Sequence, residues 1–285
     1  MFGKIRRRKK KISRTVEIPK TSPIHITVDH AGIKKEYRIG NAQHIGGRKQ
    51  QQDSFGFSEL MDPDILAQKG ICGVLSDGMG GLDLGREISE QVVQKTLEYF
   101  KNLVYQYPIG RQLFFFYQQF NQELFAQYEK NGKPGAGATV LTVILFKDRL
   151  YWYAVGDSRL YLWRKERLYQ INEEHNYRNK LIEKYIEGEG SLEDAWQDPK
   201  GEFLTSYMGC PEILKADIGQ IGLALQNGDK ILMLTDGVYR SLSEETVIEK
   251  MKKDPQEACT ELIQNAVSRK IPGQDNMTAM AIALN

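Results

Sequence analysis

Apolar side chains return along this chain in two rhythms. In residues 86–105, Ile88, Val92, Val93, Leu97, Phe100 and Val104 recur at three- and four-residue spacings, which gathers them on one face of an α-helix. A second helix is predicted over residues 111–128, where Phe114, Phe115, Phe116, Tyr117, Phe120 and Phe125 form an aromatic cluster read as core. Elsewhere the pattern is β-like. Residues 24–28 alternate, and residues 70–75 are a short apolar run ending at Asp77-Gly78. Three more β-rich runs, 138–146, 150–155 and 159–163, are separated by Lys147-Asp148-Arg149 and Gly156-Asp157-Ser158 and predict an antiparallel meander. Residues 231–235 form another buried strand after the turn Asn227-Gly228-Asp229. Helices are predicted over 243–252, with Ser243 as N-cap, and over 255–269, with Pro255 in the first turn. Residues 277–284 close the chain as a strand.

Strands, two helices, further strands and two further helices make an α+β order, not alternating βαβ units. The expected architecture is a four-layer α-β-β-α sandwich: two central antiparallel sheets face to face, flanked by helices. Residues 25–285 read as one domain, with a charged, Gly-containing insertion or flap at about 176–201. There is no internal repeat.

Charge adds a feature that hydropathy does not show. The net charge is +2, yet residues 1–14 hold eight of the 39 Lys and Arg and no acid, leaving 31 bases against 37 acids in the rest. Residues 1–24 therefore read as a solvated basic arm. Its functional reading is contact with an anionic membrane surface or an acidic partner. Positive charge confined to one end excludes a general nucleic-acid binder. No apolar run is long enough for a membrane helix, and no apolar segment follows the basic start as a signal peptide requires. The odd, scattered Cys72, Cys210 and Cys259 suit reduced buried thiols. A cytoplasmic monomer is expected, with the inner membrane face open to the arm.

The chemistry-bearing feature is a repetition of aspartate beside glycine at strand ends: Ser76-Asp77-Gly78, Gly156-Asp157-Ser158 and Thr235-Asp236-Gly237. Asp275-Asn276 opens the last strand, and Asp53 precedes Phe55-Gly56-Phe57. A single Asp-Gly is ordinarily a turn. Five acids at the ends of segments sharing a sheet core would repel one another unless a cation neutralised them, and an all-oxygen cluster favours Mg²⁺ or Mn²⁺. No Cys or His pair has zinc spacing, and no nucleophilic Ser, Cys or His stands in a recognisable catalytic frame.

These residues resemble the type-2C metal-dependent serine/threonine protein phosphatases, the PPM family, in its bacterial form. The matching blocks occur in the family's order. They are Gly47-Arg48 with Gln51-Gln52-Asp53, then Val74-Leu75-Ser76-Asp77-Gly78-Met79-Gly80-Gly81 with Gly85, and Gly137-Ala138-Thr139. Val155-Gly156-Asp157-Ser158-Arg159, Leu204-Thr205 with Met208-Gly209, Leu234-Thr235-Asp236-Gly237 and Asp275-Asn276-Met277-Thr278 follow. The resemblance implies hydrolysis of phosphoserine and phosphothreonine by a metal-activated water. It implies that Asp77 bridges two ions of Mn²⁺ or Mg²⁺, that the Gly78 carbonyl completes the second site, and that Asp236 and Asp275 hold the first. Arg48 would clamp the substrate phosphate with its guanidinium fork. Asp157 matches a position that in bacterial members helps hold a third, looser ion. Phosphoproteins are the implied substrates, with a serine/threonine kinase as a partner by analogy.

Two departures stand out. Gln52 replaces an acid that often precedes the first-block Asp, which puts Asp53 in a water-mediated or supporting role. Met79 stands where some eukaryotic members carry a histidine proposed as general acid. His175, within Glu173-Glu174-His175-Asn176, has a site reading and a structural one. The competing function is a catalytically inactive scaffold of the same fold; Arg48, Asp77, Gly78, Asp236 and Asp275 are all retained, which favours an enzyme. Another metal-dependent phosphohydrolase is the second alternative, and the chain has no P-loop or nucleotide-binding glycine fingerprint.

Overall fold

The computed structural model describes residues 24–30, 33–80, 84–130 and 135–285. All but the last residue of the basic arm predicted at 1–24 lies outside them. In chain order the strands are β1 (Ile24–His30), β2 (Ile33–His44), β3 (Asp53–Phe57), β4 (Ile71–Met79), β5 (Gly137–Ala138), β6 (Val140–Phe146), β7 (Arg149–Val155) and β8 (Arg159–Arg164). They continue as β9 (Arg167–Gln170), β10 (Asp217–Ile218), β11 (Leu223–Ala224), β12 (Lys230–Leu234) and β13 (Met277–Leu284). The helices are α1 (Pro63–Lys69), α2 (Leu84–Asn102), α3 (Ile109–Lys130), α4 (Tyr177–Ile186), α5 (Leu192–Gln197), α6 (Asp236–Tyr239), α7 (Glu244–Lys250) and α8 (Pro255–Ser268).

Two sheets form, with every pairing antiparallel. One runs β1-β2-β13-β12-β8-β9; the other runs β10-β7-β6-β4-β3, with β11 added to β7 and β5 to β4. Alternation along β12 shows why they stack. Ile231 and Met233 join the inter-sheet core with Leu75, Val143, Leu160 and Ile282, whereas Leu232 and Leu234 turn outward onto α8 with Cys259, Leu262 and Ile263. On the far side, Ile88, Val92 and Phe100 of α2 and Leu113, Tyr117 and Phe120 of α3 pack on the second sheet. The four-layer α-β-β-α sandwich expected from the sequence is the observed architecture. Burying a Tyr hydroxyl requires partners, and Tyr117 finds them in Thr96 Oγ1 at 2.8 Å and Thr142 Oγ1 at 2.5 Å. All three cysteines are free and buried. Among the described residues no helix is long and apolar enough to cross a membrane.

The structure corrects three expectations. Phe114 and Phe115 are exposed, the latter 56%, because α3 presents one buried stripe and six aromatics crowded into twelve residues cannot all share it. Val104 lies beyond the end of α2 and is exposed too. The runs at 138–163 are not one meander: β6 and β7 pair as a hairpin, but β8 pairs with β12 and β9 in the other sheet. The chain crosses between sheets at Gly156, whose φ of +105° favours glycine and whose added Cβ would lie 2.6 Å from the Thr139 side chain. That crossover carries Asp157.

The predicted flap at 176–201 holds two short helices, α4 and α5. Asn176 caps α4 by accepting the Asn179 N–H, and Ser191 caps α5 by accepting that of Asp194.

Candidate metal and phosphate site

Strand ends from both sheets meet at one edge of the sandwich. Asp53 at the start of β3 lies directly opposite Asp77 near the end of β4. Asp157 follows β7, Asp236 follows β12 and Asp275 precedes β13. A cavity of about 820 Å³ opens there, lined by Arg48, Asp77, Gly78, Asp157, Asp236 and Asp275 among others. Six residues singled out from sequence thus border one space.

Close backbone packing builds the floor. The Gly78 N–H donates to the Gln52 carbonyl at 3.1 Å, and a Cβ on Gly78 would fall 2.2 Å from the Gly85 carbonyl oxygen at the start of α2. Only glycine lets β4 approach that helix so closely. Asp77 is locked through its backbone: its N–H donates to Thr139 Oγ1 at 2.9 Å, and its carbonyl accepts the Thr139 N–H at 2.8 Å. The loop bearing Arg48 is tied down by Asn276, whose amide donates to the carbonyls of Ile45 at 2.8 Å and Gln50 at 3.0 Å.

Electrostatics at the site is dominated by acids forced together. Burial, then repulsion from Asp53, Asp236, Asp157 and Asp275, pushes the Asp77 carboxyl well above the usual range. Burial raises Asp157 to about 7, with Asp236 adding to the rise and Arg240 opposing it. Asp236 is raised by burial and by Asp275, again against Arg240. Arg48 pairs with Asp275, Nη2 to Oδ2, at 2.6 Å.

Asp53 does not line the cavity. It is buried behind Asp77, where Oδ2 accepts hydrogen bonds from Thr278 Oγ1 at 2.7 Å and Thr235 Oγ1 at 3.0 Å. Burial lifts its pKa to about 7 despite those two bonds. His175 is also away from the cavity. Its Nδ1 accepts the Gly156 N–H at 3.1 Å and its own N–H donates to the Gly156 carbonyl at 2.8 Å, so it grips the crossover from behind.

The donor set suits hard divalent cations: carboxylate oxygens and a nearby glycine carbonyl, with no cysteine or histidine among the described residues that line the cavity and Met79 its one sulfur-bearing side chain there. Asp236 Oδ1 is buried without a hydrogen-bond partner among the described residues, as is Asp53 Oδ1 outside the cavity. As the side chains stand, no three acids among the described residues are gathered tightly enough to chelate one ion, and arginines pair with Asp275, Asp157 and Asp236 instead.

Sequence reasoning missed Arg240 and Glu202, which both line the cavity and lie 2.7 Å apart. The four-residue step from Asp236 to Arg240 was a usable signal for a side chain returning over the acid. Glu202 had none, being one acid in a charged segment.

The chain belongs to the protein phosphatase 2C family, whose sequence pattern matches residues 41–265. It is 27% identical to the serine/threonine phosphatase stp of Listeria innocua over 84% of this chain and 92% of that one. The fold superposes on the S. agalactiae serine/threonine phosphatase with a TM-score of 0.74 at 22% identity, covering 87% of this chain and all 100% of the other. It also superposes on the catalytic domain of the phosphatase PstP in complex with two manganese ions, with a TM-score of 0.69 at 23% identity over 87% of this chain and 98% of that one. Phosphatases of this family are metal-dependent.

Proposed function

We propose that this protein is a serine/threonine protein phosphatase that hydrolyses phosphoserine and phosphothreonine with water, using divalent cations held by Asp77, the Gly78 carbonyl, Asp236 and Asp275. The observation that carries the reading is the meeting of these acids, delivered by both sheets, with Arg48 around one open cavity. The naming of the relatives as serine/threonine phosphatases gives the substrate class.

Divalent cations, when bound, supply Lewis acidity that brings water towards ionisation and neutralises phosphoryl oxygens. The chain's own residues do the rest. Asp77, Asp236 and Asp275 are the proposed ligands, and Asp53 supports them through Thr235, which follows β12, and Thr278 in β13. Arg48 binds the phosphoryl group. Its side chain makes a single hydrogen bond among the described residues, to Asp275, which leaves its other donors for an incoming anion. Among the described residues no histidine lines the cavity, and this reading has the leaving serine or threonine oxygen take its proton from water. Either Mn²⁺ or Mg²⁺ fits this reading, and manganese is the first ion to try because the PstP neighbour is a complex with two manganese ions.

The test is turnover of a phosphothreonine peptide and an aryl phosphate with Mn²⁺ or Mg²⁺, before and after EDTA. Activity should stop on chelation and return with added metal. Undiminished hydrolysis after exhaustive chelation would sink the metal mechanism. As part of the same reading, a serine/threonine kinase supplies the phosphoprotein, and the bases of residues 1–14 hold the protein at an anionic surface on the cytoplasmic side. Vesicle co-sedimentation of the full chain and of one lacking residues 1–14, at low and high salt, tests the second part. Equal sedimentation at low salt would discard it.

A further inference from the structure

The guanidinium of Arg240 stands among three acids from three parts of the chain. Its Nη2 donates to Asp157 Oδ2 at 3.0 Å and lies 2.7 Å from Glu202 Oε2, while its Nε is 3.4 Å from Asp236 Oδ2. Asp157 belongs to the crossover between sheets, Asp236 opens α6, and Glu202 follows α5 at the end of the flap. Arg240 closes α6, its backbone N–H donating to the Asp236 carbonyl at 3.0 Å, so the side chain starts one turn from Asp236 and folds back over it. The side chain of Asp157 is only 8% exposed, and Tyr239 fixes its backbone by donating a hydroxyl hydrogen bond to the Asp157 carbonyl at 3.1 Å.

Glu202 engages a second arginine. Its Oε1 is 2.5 Å from Nη1 of Arg178 in α4, and the Arg178 guanidinium lies over the ring of Trp196 in α5, 5.0 Å from the centroid. Charges of alternating sign therefore run from the flap helices through Glu202 and Arg240 to Asp157 and Asp236.

Three carboxylates this close need a cation. As they stand these three are not gathered tightly enough to chelate a divalent ion, and the Arg240 guanidinium lies between them instead. Arginine's charge is permanent, so unlike an ion it does not depend on the metal concentration.

We propose that Arg240 is a built-in cation that takes the place of a third divalent ion beside Asp157 and latches the flap onto the site through Glu202. Arg240 is thus a positioning residue: it sets how many ions the acids accept and keeps the flap docked when free metal is scarce. This rests on the metal-dependent phosphatase reading of the same site, and the experiment separates the two.

Manganese bound per chain is measured by calorimetry and equilibrium dialysis on the full protein and on Arg240→Gln. The wild type should bind two ions, and Arg240→Gln should bind a third more weakly. Three ions on the wild type, or two on Arg240→Gln, would overturn the proposal while leaving the phosphatase reading standing. A wild type that binds no manganese and leaves a phosphothreonine peptide intact would defeat that reading, and this one with it. Should Arg240→Gln fail to fold, Glu202→Gln carries the test, because it removes the flap's partner and keeps Arg240 on Asp157. Two ions should still bind, and limited proteolysis within residues 187–203 should become several-fold faster. Unchanged cleavage would overturn the latch.

Discussion

Arg48 Nη2 donates to Asp275 Oδ2 at 2.6 Å, so the cation proposed to grip phosphate is paired with an acid proposed to hold metal. Both side chains are about half exposed to solvent, and such a pair is worth no more than about 1 kcal/mol. It parts easily when a dianionic phosphate and a divalent ion compete for its two halves. Arg48→Ala should therefore raise the inhibition constant for inorganic phosphate by roughly tenfold to 150-fold, from about 1.5–3 kcal/mol for a charge-assisted contact. Manganese affinity, read by calorimetry, should hold or tighten slightly, because Asp275 is freed. Lost manganese binding with unchanged phosphate inhibition would show the roles reversed.

Asp77 is repelled by four other acids, Asp53, Asp236, Asp157 and Asp275, and no side-chain hydrogen bond to it is found among the described residues. Its carboxyl is pushed well above the usual range by burial and four neighbouring acids, which makes its charge a cost to the metal-free fold. Asp77→Ala should abolish metal-dependent turnover of an aryl phosphate, since a proposed bridging ligand is gone. In EDTA, however, its thermal midpoint should equal or exceed that of the wild type. Excess manganese should then raise the wild-type midpoint by linkage and the variant's much less. A variant that melts earlier than wild type in EDTA would mean that Asp77 is needed for folding.

The same residues show how far the sequence could be read. Asp77, Asp157, Asp236 and Asp275 were legible because each ends or opens an apolar strand, and a buried strand delivers its terminal residue to a fixed place. The layers were legible because α2 and α8 keep a helical period and because β12 and β13 are apolar except for Lys230 and Thr278, as suits strands buried on both faces. β2 was not found: its polar stretch Lys34-Lys35-Glu36 hides a strand whose pairing comes from β1 and β13, which are distant or weakly patterned. The switch of β8 into the other sheet was also missed, since a turn of Gly156-Asp157-Ser158 looks the same whether a hairpin or a crossover follows. Arg240 and Glu202 escaped for a related reason. Their meeting joins a helix end to the flap, and nothing local to either residue announces the other.

Asp53 separates support of the site from support of the fold. Its Oδ2 accepts from Thr235 and Thr278, while Oδ1 is buried with no partner among the described residues. Asp53→Asn can keep an acceptor for both hydroxyls and removes a carboxyl whose pKa is raised to about 7 mainly by burial. Its stability in EDTA should change little, whereas Asp53→Ala, which strands two hydroxyls, should lose about 1–3 kcal/mol in urea unfolding. Both should bind manganese more weakly than wild type. If Asp53→Asn binds manganese like the wild type, the Asp53 charge does not reach the ions.

His175 yields a pH dependence that can be isolated from the acids. It is 2% exposed, its Nδ1 accepts the Gly156 N–H, and its Nε2 has no partner among the described residues. Burial, then the Lys215 ammonium, lowers its pKa from an ordinary 6.5 to about 4. The unfolded chain therefore takes up a proton near pH 6.5, and the folded chain not until about pH 4. Stability from neutral His175 is complete above pH 6.5 and drains away as pH falls towards 4. At about 1.4 kcal/mol per pH unit across that window, the loss between pH 7 and pH 5 is roughly 2 kcal/mol. Asp53 and Asp157, raised to about 7, act in the opposite direction, since their folded forms hold protons more tightly. They are common to wild type and His175→Gln, so the difference between the two proteins cancels them. Urea unfolding in EDTA at pH 7 and pH 5 should show the wild type losing roughly 2 kcal/mol more than His175→Gln on acidification. Parallel losses would mean that the imidazole takes up its proton in the folded state near its ordinary pKa, with Nδ1 giving up the Gly156 N–H at little cost.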